Sequence, residues 1–401
     1  MVERFHGVFT QQEAIPERAI DAATDVLRSG RLHRYNTLGD ELSAASELEQ
    51  AFARYQGAEY CLACASGGYA MSIALRAAGI CPGDTVLTNS FTLAPVPGAI
   101  AAAGAKPVFV EVTEDLVLDL SDLERKISES VAKYLLLSSM RGHLCNMEAL
   151  TELLEEKNVL LLEDCAHTMG ASWNGKLSGS FGLAGCFSTQ TYKHLNSGEG
   201  GLLTSDDPVF MARAIMLSGS YMLYERHGAA PPEEIFRTIR LETPNMSGRM
   251  DNLRAAILLP QLAALDDSIR RWNERYDLIA QRLAEAPSVR MPYRPIEETY
   301  VGSSIQFLIP GISKESAIKF VEENKSLGVE LKWFGDENPV AFTSNHHSWK
   351  YVDPQDLPKT DEILSGLFDM RIPLSFTLED CEHIARILTH TVNQRMGTGA
   401  A

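Results

Sequence analysis

Basic residues are scarce in this 401-residue chain: 36 Lys and Arg stand against 53 Asp and Glu, a formal net charge of −17 at pH 7. Nucleic acids and anionic membranes require concentrated positive charge, so both are excluded as partner classes. A small anionic substrate is not excluded, because it needs positive charge only locally. Long apolar runs are also missing. Each is broken by glycine, proline or charge before the ~20 residues a membrane helix requires. The opening Met1-Val-Glu-Arg-Phe-His6 has no basic-then-apolar pattern of a secretory signal. Cysteine is sparse: seven, an odd number scattered along the chain, fit reduced thiols rather than a disulfide framework. Internal repeats and low-complexity segments are absent. These absences predict a soluble cytoplasmic protein, and its length allows two or three domains at roughly 100–200 residues each.

What the chain does contain is alternation. From about residue 58, short β-rich runs alternate with helical stretches. Tyr60-Cys-Leu-Ala-Cys-Ala65 leads through Ser66-Gly67-Gly68 into a helix from Tyr69 to Ala78. Asp84-Thr-Val-Leu-Thr88 precedes an Ala-rich helical stretch that closes at Gly104. Pro107-Val-Phe-Val-Glu-Val112 is followed by a helix whose start, Ser121-Asp-Leu-Glu124, reads as a capping box. Tyr134 to Ser138, Val159 to Asp164, Gly185 to Ser188 and Gly201 to Thr204 complete the strands. Such alternation predicts an α/β fold with a mostly parallel sheet flanked by helices. A long helical segment, Asp251 to Ala286, carries Pro260 as a kink. Beyond it come strands near 304–309 and 328–332, a helix from Lys314 to Glu323 and a closing helix after Thr377. The expected organisation is a large domain over 1–264, a smaller C-terminal α+β domain over 265–395 and a disordered tail over 396–401.

In open α/β sheets, ligands collect outside the carboxyl ends of the strands. Gly67, Asp164 and Ser188 all fall at or just past such ends. At Ser66-Gly67-Gly68-Tyr69 the strand-to-helix turn aims unpaired N–H groups at an anion, with the helix dipole assisting. Taken alone, an ordinary βα turn explains it as well. Asp164 ends an apolar run and taken alone would be a turn-capping carboxylate. Lys193 taken alone would be a solvated surface charge. Its setting overturns that reading: Ser188 lies five residues upstream and Gly198-Glu-Gly-Gly201 just downstream. An amine, an acid and a phosphate-sized cup together suit pyridoxal phosphate, which requires one of each. His167 would hydrogen-bond the ring oxygen or stack on the ring, with a buried structural histidine as the alternative.

Here the chain resembles the DegT/DnrJ/StrS sugar aminotransferases, fold-type-I enzymes of the aspartate aminotransferase superfamily. The likeness rests on Glu163-Asp-Cys-Ala-His167, Phe187-Ser188, Lys193 and Gly198-Glu-Gly-Gly201. It extends to Gly104-Ala-Lys-Pro-Val-Phe109, to Arg249-Met-Asp-Asn-Leu-Arg-Ala-Ala256 and to Gln261-Leu262, spanning about residues 25–390. The resemblance implies a large domain with a seven-stranded sheet. It makes Lys193 the Schiff-base lysine, Asp164 the partner of the ring nitrogen and His167 a neighbour of the ring. Ser188 and the backbone of Gly68 and Tyr69, with Gly67 in the same turn, fall on the phosphate. It further implies a homodimer in which an Asn of the neighbouring subunit reaches the phosphate. This chain has Ser247 at that position, with Asn245 nearby. Where the family stacks an aromatic on the cofactor, Leu93 follows Thr92, leaving Leu93 or the preceding Phe91 to cover the ring. The family's Ser-Gly-Thr turn has become Ser66-Gly67-Gly68.

The implied reaction moves an amino group from glutamate or glutamine to a keto group on a sugar, cyclitol or related small molecule. Secondary-metabolite or cell-surface sugar biosynthesis would be its setting. The departures imply an acceptor that need not be a nucleotide sugar. A pyridoxamine-dependent dehydratase, in which resembling proteins replace the lysine by histidine, and an idle regulatory relative are the alternatives. Several patterns elsewhere carry less. Gly170 to Leu177 nearly matches a P-loop but ends in Leu where Mg²⁺ requires a hydroxyl. Cys61-Leu-Ala-Cys64 is a lone CxxC on an apolar strand and reads as core. His346-His347 lies in a polar loop without matched ligands. Arg34-Tyr35-Asn36 and Lys332-Trp333 would meet substrate at a seam or else lie on the surface.

Overall fold

The computed structural model describes residues 2–341 and 344–396. Five strands alternate with helices in the first half: β1 (Tyr60–Cys64), β2 (Thr85–Asn89), β3 (Lys106–Val110), β4 (Tyr134–Ser138) and β5 (Leu160–Asp164). A small hairpin of β6 (Ser172–Trp173) and β7 (Lys176–Leu177) precedes β8 (Ala184–Ser188) and β9 (Gly201–Ser205). The main sheet has seven strands in the order β1-β9-β8-β5-β4-β2-β3. β9 runs antiparallel to β1 and β8, while β8, β5, β4, β2 and β3 pair in parallel. This is the mostly parallel sheet that the sequence pattern predicts.

Successive side chains of a strand point to opposite faces, so one apolar strand feeds two cores. Leu136 and Leu162 pack with Ile73 and Ala74 of helix Gly67–Ala77 and with Phe210 and Ile215 of helix Pro208–Ser218. Their neighbours Leu135, Leu137 and Leu161 pack with Leu123 of helix Leu120–Ser130 and Leu150 of helix Met147–Lys157. Strands covered on both faces read as continuous apolar runs, as β4 and β5 do.

The C-terminal part adds β10 (Glu298–Thr299), which pairs with β6, and a three-stranded antiparallel sheet. That sheet comprises β11 (Ser304–Leu308), β12 (Lys332–Trp333) and β13 (Leu367–Arg371), in the order β11-β13-β12. Helices Leu265–Ala284, Lys314–Ser326 and Leu378–Met396 pack around it. Phe307, Phe320 and Phe368 centre this core, which also takes in Phe5 and Phe9 from the chain start.

Several local expectations are corrected. The long helix with a kink is two helices, Asn252–Leu262 and Leu265–Ala284. Pro260 has no N–H for the preceding turn, and the helix ends two residues later. The helix at Leu120 is capped by Asp119, which accepts from Ser121 N and Asp122 N, not by Ser121. The strand expected over 328–332 shortens to Lys332–Trp333, because Val329 N–H is spent on Asn324 O at 2.8 Å, closing the preceding helix. The closing helix runs to Met396, which the sequence placed in the tail; the rest of that tail, 397–401, lies outside the described residues. Among the described residues, no helix is long and apolar enough to cross a membrane.

Candidate active site

Strand register gathers residues that are distant in sequence. Ser138 lies opposite Asp164 across β4 and β5, and Gly201 of β9 lies opposite both Ser188 and Cys64. Asp164 is buried at the carboxyl end of β5. Its Oδ2 accepts from Ser138 Oγ at 2.8 Å and its Oδ1 from Ala166 N–H at 3.1 Å. Thr92 Oγ1 donates in turn to Ser138 Oγ at 2.8 Å. Burial raises the Asp164 pKa, while the Ser138 hydroxyl, the Lys193 charge and the Ala166 N–H oppose that rise. Each opposing contact favours the ionised carboxylate.

Lys193 sits in the loop between β8 and β9. Thr189 N–H to Gly200 O (2.9 Å) and Ser197 N–H to Thr189 O (2.9 Å) close that loop on itself. Gln261 pins it from outside, accepting from Asn196 N at 2.9 Å and donating to Asn196 O at 2.8 Å. The Lys193 amine therefore occupies a defined position, with Nζ 2.7 Å from His167 Nε2. Burial, aided by the charges of Arg141, Arg371 and Lys332 and opposed by Asp164, pulls its pKa down to about 7. Burial, with the charges of Lys193, Arg141 and Lys332, holds the His167 pKa well below its ordinary value, so the ring is neutral and accepts from the amine.

Opposite lies the turn into helix Gly67–Ala77. Ser66 caps it, its Oγ accepting from Tyr69 N–H at 3.1 Å. A Cβ on Gly67 would stand 2.8 Å from Ser188 Cβ, and one on Gly201 would collide with the Ser66 carbonyl. Glycine at both positions lets the turn, β8 and β9 close to backbone contact. The first N–H groups of a helix have no carbonyl partner inside it, so those of Gly67 and Gly68 face outward beside Ser188.

Gly67, Gly68, Leu93, Asp164, His167, Ser188 and Lys193 all line one cavity of about 80 Å³. Two expected residues stand outside it. Tyr69 has its N–H engaged by the Ser66 cap and its hydroxyl on Leu217 O at 3.3 Å. Ser247 is exposed at a φ of 47°, its N–H bonded to Asn245 Oδ1 at 3.1 Å. Leu93, not Phe91, lines the cavity; the Phe91 ring packs edge-on against Phe334, 5.1 Å away. Sequence reasoning missed Ser138 and Met140, which also line it, although Ser138 closes an apolar strand as Asp164 does.

The other patterns resolve as structure. The P-loop-like segment is the β6–β7 hairpin, turning at Asn174-Gly175 with positive φ at both residues. Cys61 and Cys64 are free, buried thiols of β1. His346 and His347 each place Nε2 on Asp361 Oδ1, at 2.7 and 2.9 Å, a partner the sequence did not reveal. Arg34 is neither at a substrate seam nor on the surface, because it makes a fully buried ion pair with Glu49 at 2.8 Å. Trp333 is buried, with Nε1 donating to Ser365 O at 2.8 Å.

A seven-stranded mostly parallel sheet joined to a smaller α+β unit is the fold of the type-I pyridoxal-phosphate aminotransferases. The solved structure of 3-amino-5-hydroxybenzoic acid synthase superposes with a TM-score of 0.82 at 23% identity, covering 98% of this chain and 100% of that one. The chain belongs to the DegT/DnrJ/EryC1/StrS aminotransferase family, whose profile matches residues 13–389. A pleiotropic regulatory protein of Geobacillus stearothermophilus is 32% identical over 269 residues, 66% of this chain and 65% of that protein. GDP-perosamine synthase of Escherichia coli O157:H7 is 31% identical over 255 residues, 63% of this chain and 67% of that protein. The matched stretch thus spans about two thirds of each curated relative.

Proposed function

We propose that this chain is a pyridoxal-phosphate aminotransferase that moves an amino group from glutamate or glutamine to a keto group on a sugar, cyclitol or related small molecule. One observation carries the reading: an amine, a buried acid, a neutral imidazole and an anion cup line a single cavity. That donor set fits the cofactor. Lys193 Nζ would bond its aldehyde, Asp164 would pair with its ring nitrogen, and Ser188 with the Gly67 and Gly68 N–H groups would hold its phosphate. Bound there, the cofactor supplies a carbonyl that carries nitrogen and a ring that draws electrons from the substrate carbon.

The side chains divide the remaining work. Asp164, whose carboxylate oxygens accept from Ser138 and Ala166, would hold a proton on the ring nitrogen. Lys193, with a pKa near 7, is available at neutral pH both as amine and as ammonium. It therefore takes up and returns the proton of the reacting carbon. His167 receives the Nζ hydrogen bond and aims the amine. Leu93 and Met140 present apolar surface that excludes water.

The working unit is a homodimer. Ser247 is exposed and does not line its own chain's cavity, which suits a loop that reaches the phosphate cup of a second copy. The cytoplasm suits the seven free thiols. Biosynthesis of secondary metabolites or cell-surface sugars suits an amino-transfer enzyme of this family.

Absorbance spectroscopy tests the reading. Pyridoxal phosphate added to purified protein should give a visible band that glutamate or glutamine discharges to the pyridoxamine form. Absence of any band with excess cofactor rejects the proposal. A band that no amino acid discharges, with a deoxygenated product instead, assigns the dehydratase chemistry.

A further inference from the structure

Outside the cavity of Lys193, one group of side chains is arranged as metal ligands are. His346 and His347 open a short 3-10 helix, His346–Ser348, and each places Nε2 on Asp361 Oδ1, at 2.7 and 2.9 Å. Consecutive residues of such a helix project about 120° apart, so neighbouring rings do not meet on one atom by default. Here the ring centroids stand 3.8 Å apart. His346 is buried. The His347 side chain is 56% exposed, yet it turns back to the carboxylate rather than out to water. All three ligand atoms lie within 4.8 Å of one another, and among the described residues no other trio of histidine, cysteine or acid is so arranged.

Both sides of the cluster are anchored by the fold. Asn345 caps the short helix, its Oδ1 accepting from His347 N–H at 3.2 Å, and its Nδ2 donates to Asp336 O at 3.2 Å. Trp349 packs on Phe109 of β3 with 5.5 Å between ring centroids, and His346 faces the same ring at 6.2 Å. Asp361 lies in the first turn of helix Pro358–Ser365. Glu111, just past β3, ties that helix to the large sheet by accepting from Thr360 N–H at 2.7 Å. The histidines thus belong to the segment after β12 and the carboxylate to a helix seated on the sheet edge. Asp336, Asn338 and Val340 of the same segment line a cavity of about 760 Å³.

We propose that His346, His347 and Asp361 bind a divalent transition metal of the zinc class, which pins the segment after β12 to helix Pro358–Ser365. Two imidazoles and one carboxylate suit Zn²⁺, whereas Mg²⁺ and Ca²⁺ take oxygen ligands. Zinc binds such atoms at about 2.0–2.2 Å, which sets the ligand atoms around one ion roughly 3–4 Å apart. The exposed His347 and the half-exposed Asp361 reach that spacing by a small outward rotation. Each neutral imidazole then presents its Nε2 lone pair and carries its proton on Nδ1, so binding requires no net proton transfer. A fourth position stays open to water. Because the ion joins two elements, it restrains the segment that lines the large cavity. The site is independent of the reaction proposed above.

Calorimetric titration of tag-free, chelator-stripped full-length protein with zinc chloride tests the site, with magnesium chloride as the oxygen-seeking control. Zn²⁺ should bind and Mg²⁺ should not. His347→Ala removes an exposed side chain, and Asp361→Asn keeps the size while removing the charge. Each should weaken Zn²⁺ about a hundredfold or more, with circular dichroism checking the fold. Cobalt chloride should give visible d–d bands without the near-ultraviolet band of a cobalt–thiolate bond. Hydrogen exchange over residues 334–341 and 344–349 should slow when Zn²⁺ is added to the wild type and not when it is added to either variant. Zn²⁺ affinity unchanged in both folded variants, a thiolate band, Mg²⁺ binding as tight as Zn²⁺, or no binding at all overturns the site. Zinc binding that leaves hydrogen exchange over the segment unchanged overturns the clamp.

Discussion

The Lys193 amine and the His167 imidazole meet at 2.7 Å, with Nζ on Nε2, across the loop after β8 and the turn after β5. A depressed amine facing a neutral ring has a consequence for stability. In the unfolded chain the lysine returns to its ordinary value, well above the folded value of about 7. Between those values the unfolded state binds more protons, so stability rises with pH through this window. The amine thus costs stability most below pH 7. Lys193→Met should stabilise cofactor-free protein by about 1–2 kcal/mol at pH 6, once solvent screening of the part-buried side chain is allowed for. Thermal melts of both proteins from pH 6 to 10 should show that gain shrinking as pH rises. A gain that grows with pH contradicts the assignment.

In the proposed reaction Asp164 keeps the ring nitrogen protonated, so Asp164→Asn should preserve the circular dichroism spectrum and lower turnover by about two orders of magnitude or more. Ser138→Ala, which removes the 2.8 Å hydrogen bond to Oδ2, should give a smaller loss in the same direction. Steady-state kinetics of the two variants measures both effects.

Gly67→Ala tests the cup. Its Cβ would lie 2.8 Å from Ser188 Cβ and 3.2 Å from Ser188 Cα, and a backbone neighbour cannot rotate away. The expected cost is about 1–3 kcal/mol of stability. Pyridoxal-phosphate affinity should fall more steeply than that of Gly30→Ala, where the added methyl meets no neighbour. Equilibrium dialysis with the cofactor compares the two.

Arg34 and Glu49 form the buried pair that secures β1, where Glu49 Oε1 also accepts from Ala63 N at 2.9 Å. Arg34→Met strands a buried carboxylate and should cost about 3–5 kcal/mol. Arg34 and His227 hold the Glu49 pKa far below its ordinary value against burial, which alone would raise it. The pair's contribution is present above the ordinary glutamate value and is lost as pH falls through the depressed folded value. Urea unfolding at pH 7 and pH 3 should show the wild-type advantage over Arg34→Met shrinking in acid.

Much of the site was legible because it lies on strand ends. Asp164 and Ser188 close apolar runs, and parallel pairing then brings such ends together whatever their separation in sequence. Lys193 stood out through its glycine-rich flank. β13 was not legible, because Asp369 and Arg371 break its apolar pattern, and Asp369 is tolerated inside only through Arg141, Lys332 and Gln306. The burial of Arg34 was equally hidden, since its partner Glu49 comes from a different element. Asn174-Gly175 did carry a hairpin signal, masked by the surrounding glycine and lysine spacing. Ser247, expected at the phosphate, is exposed and stands outside the cavity of its own chain.

Borohydride reduction of the protein loaded with pyridoxal phosphate, followed by peptide mass mapping, tests the central assignment most directly. A pyridoxyl mass on the peptide containing Lys193, absent from Lys193→Ala, is the expected result. The same mass on another lysine, or on none, contradicts it.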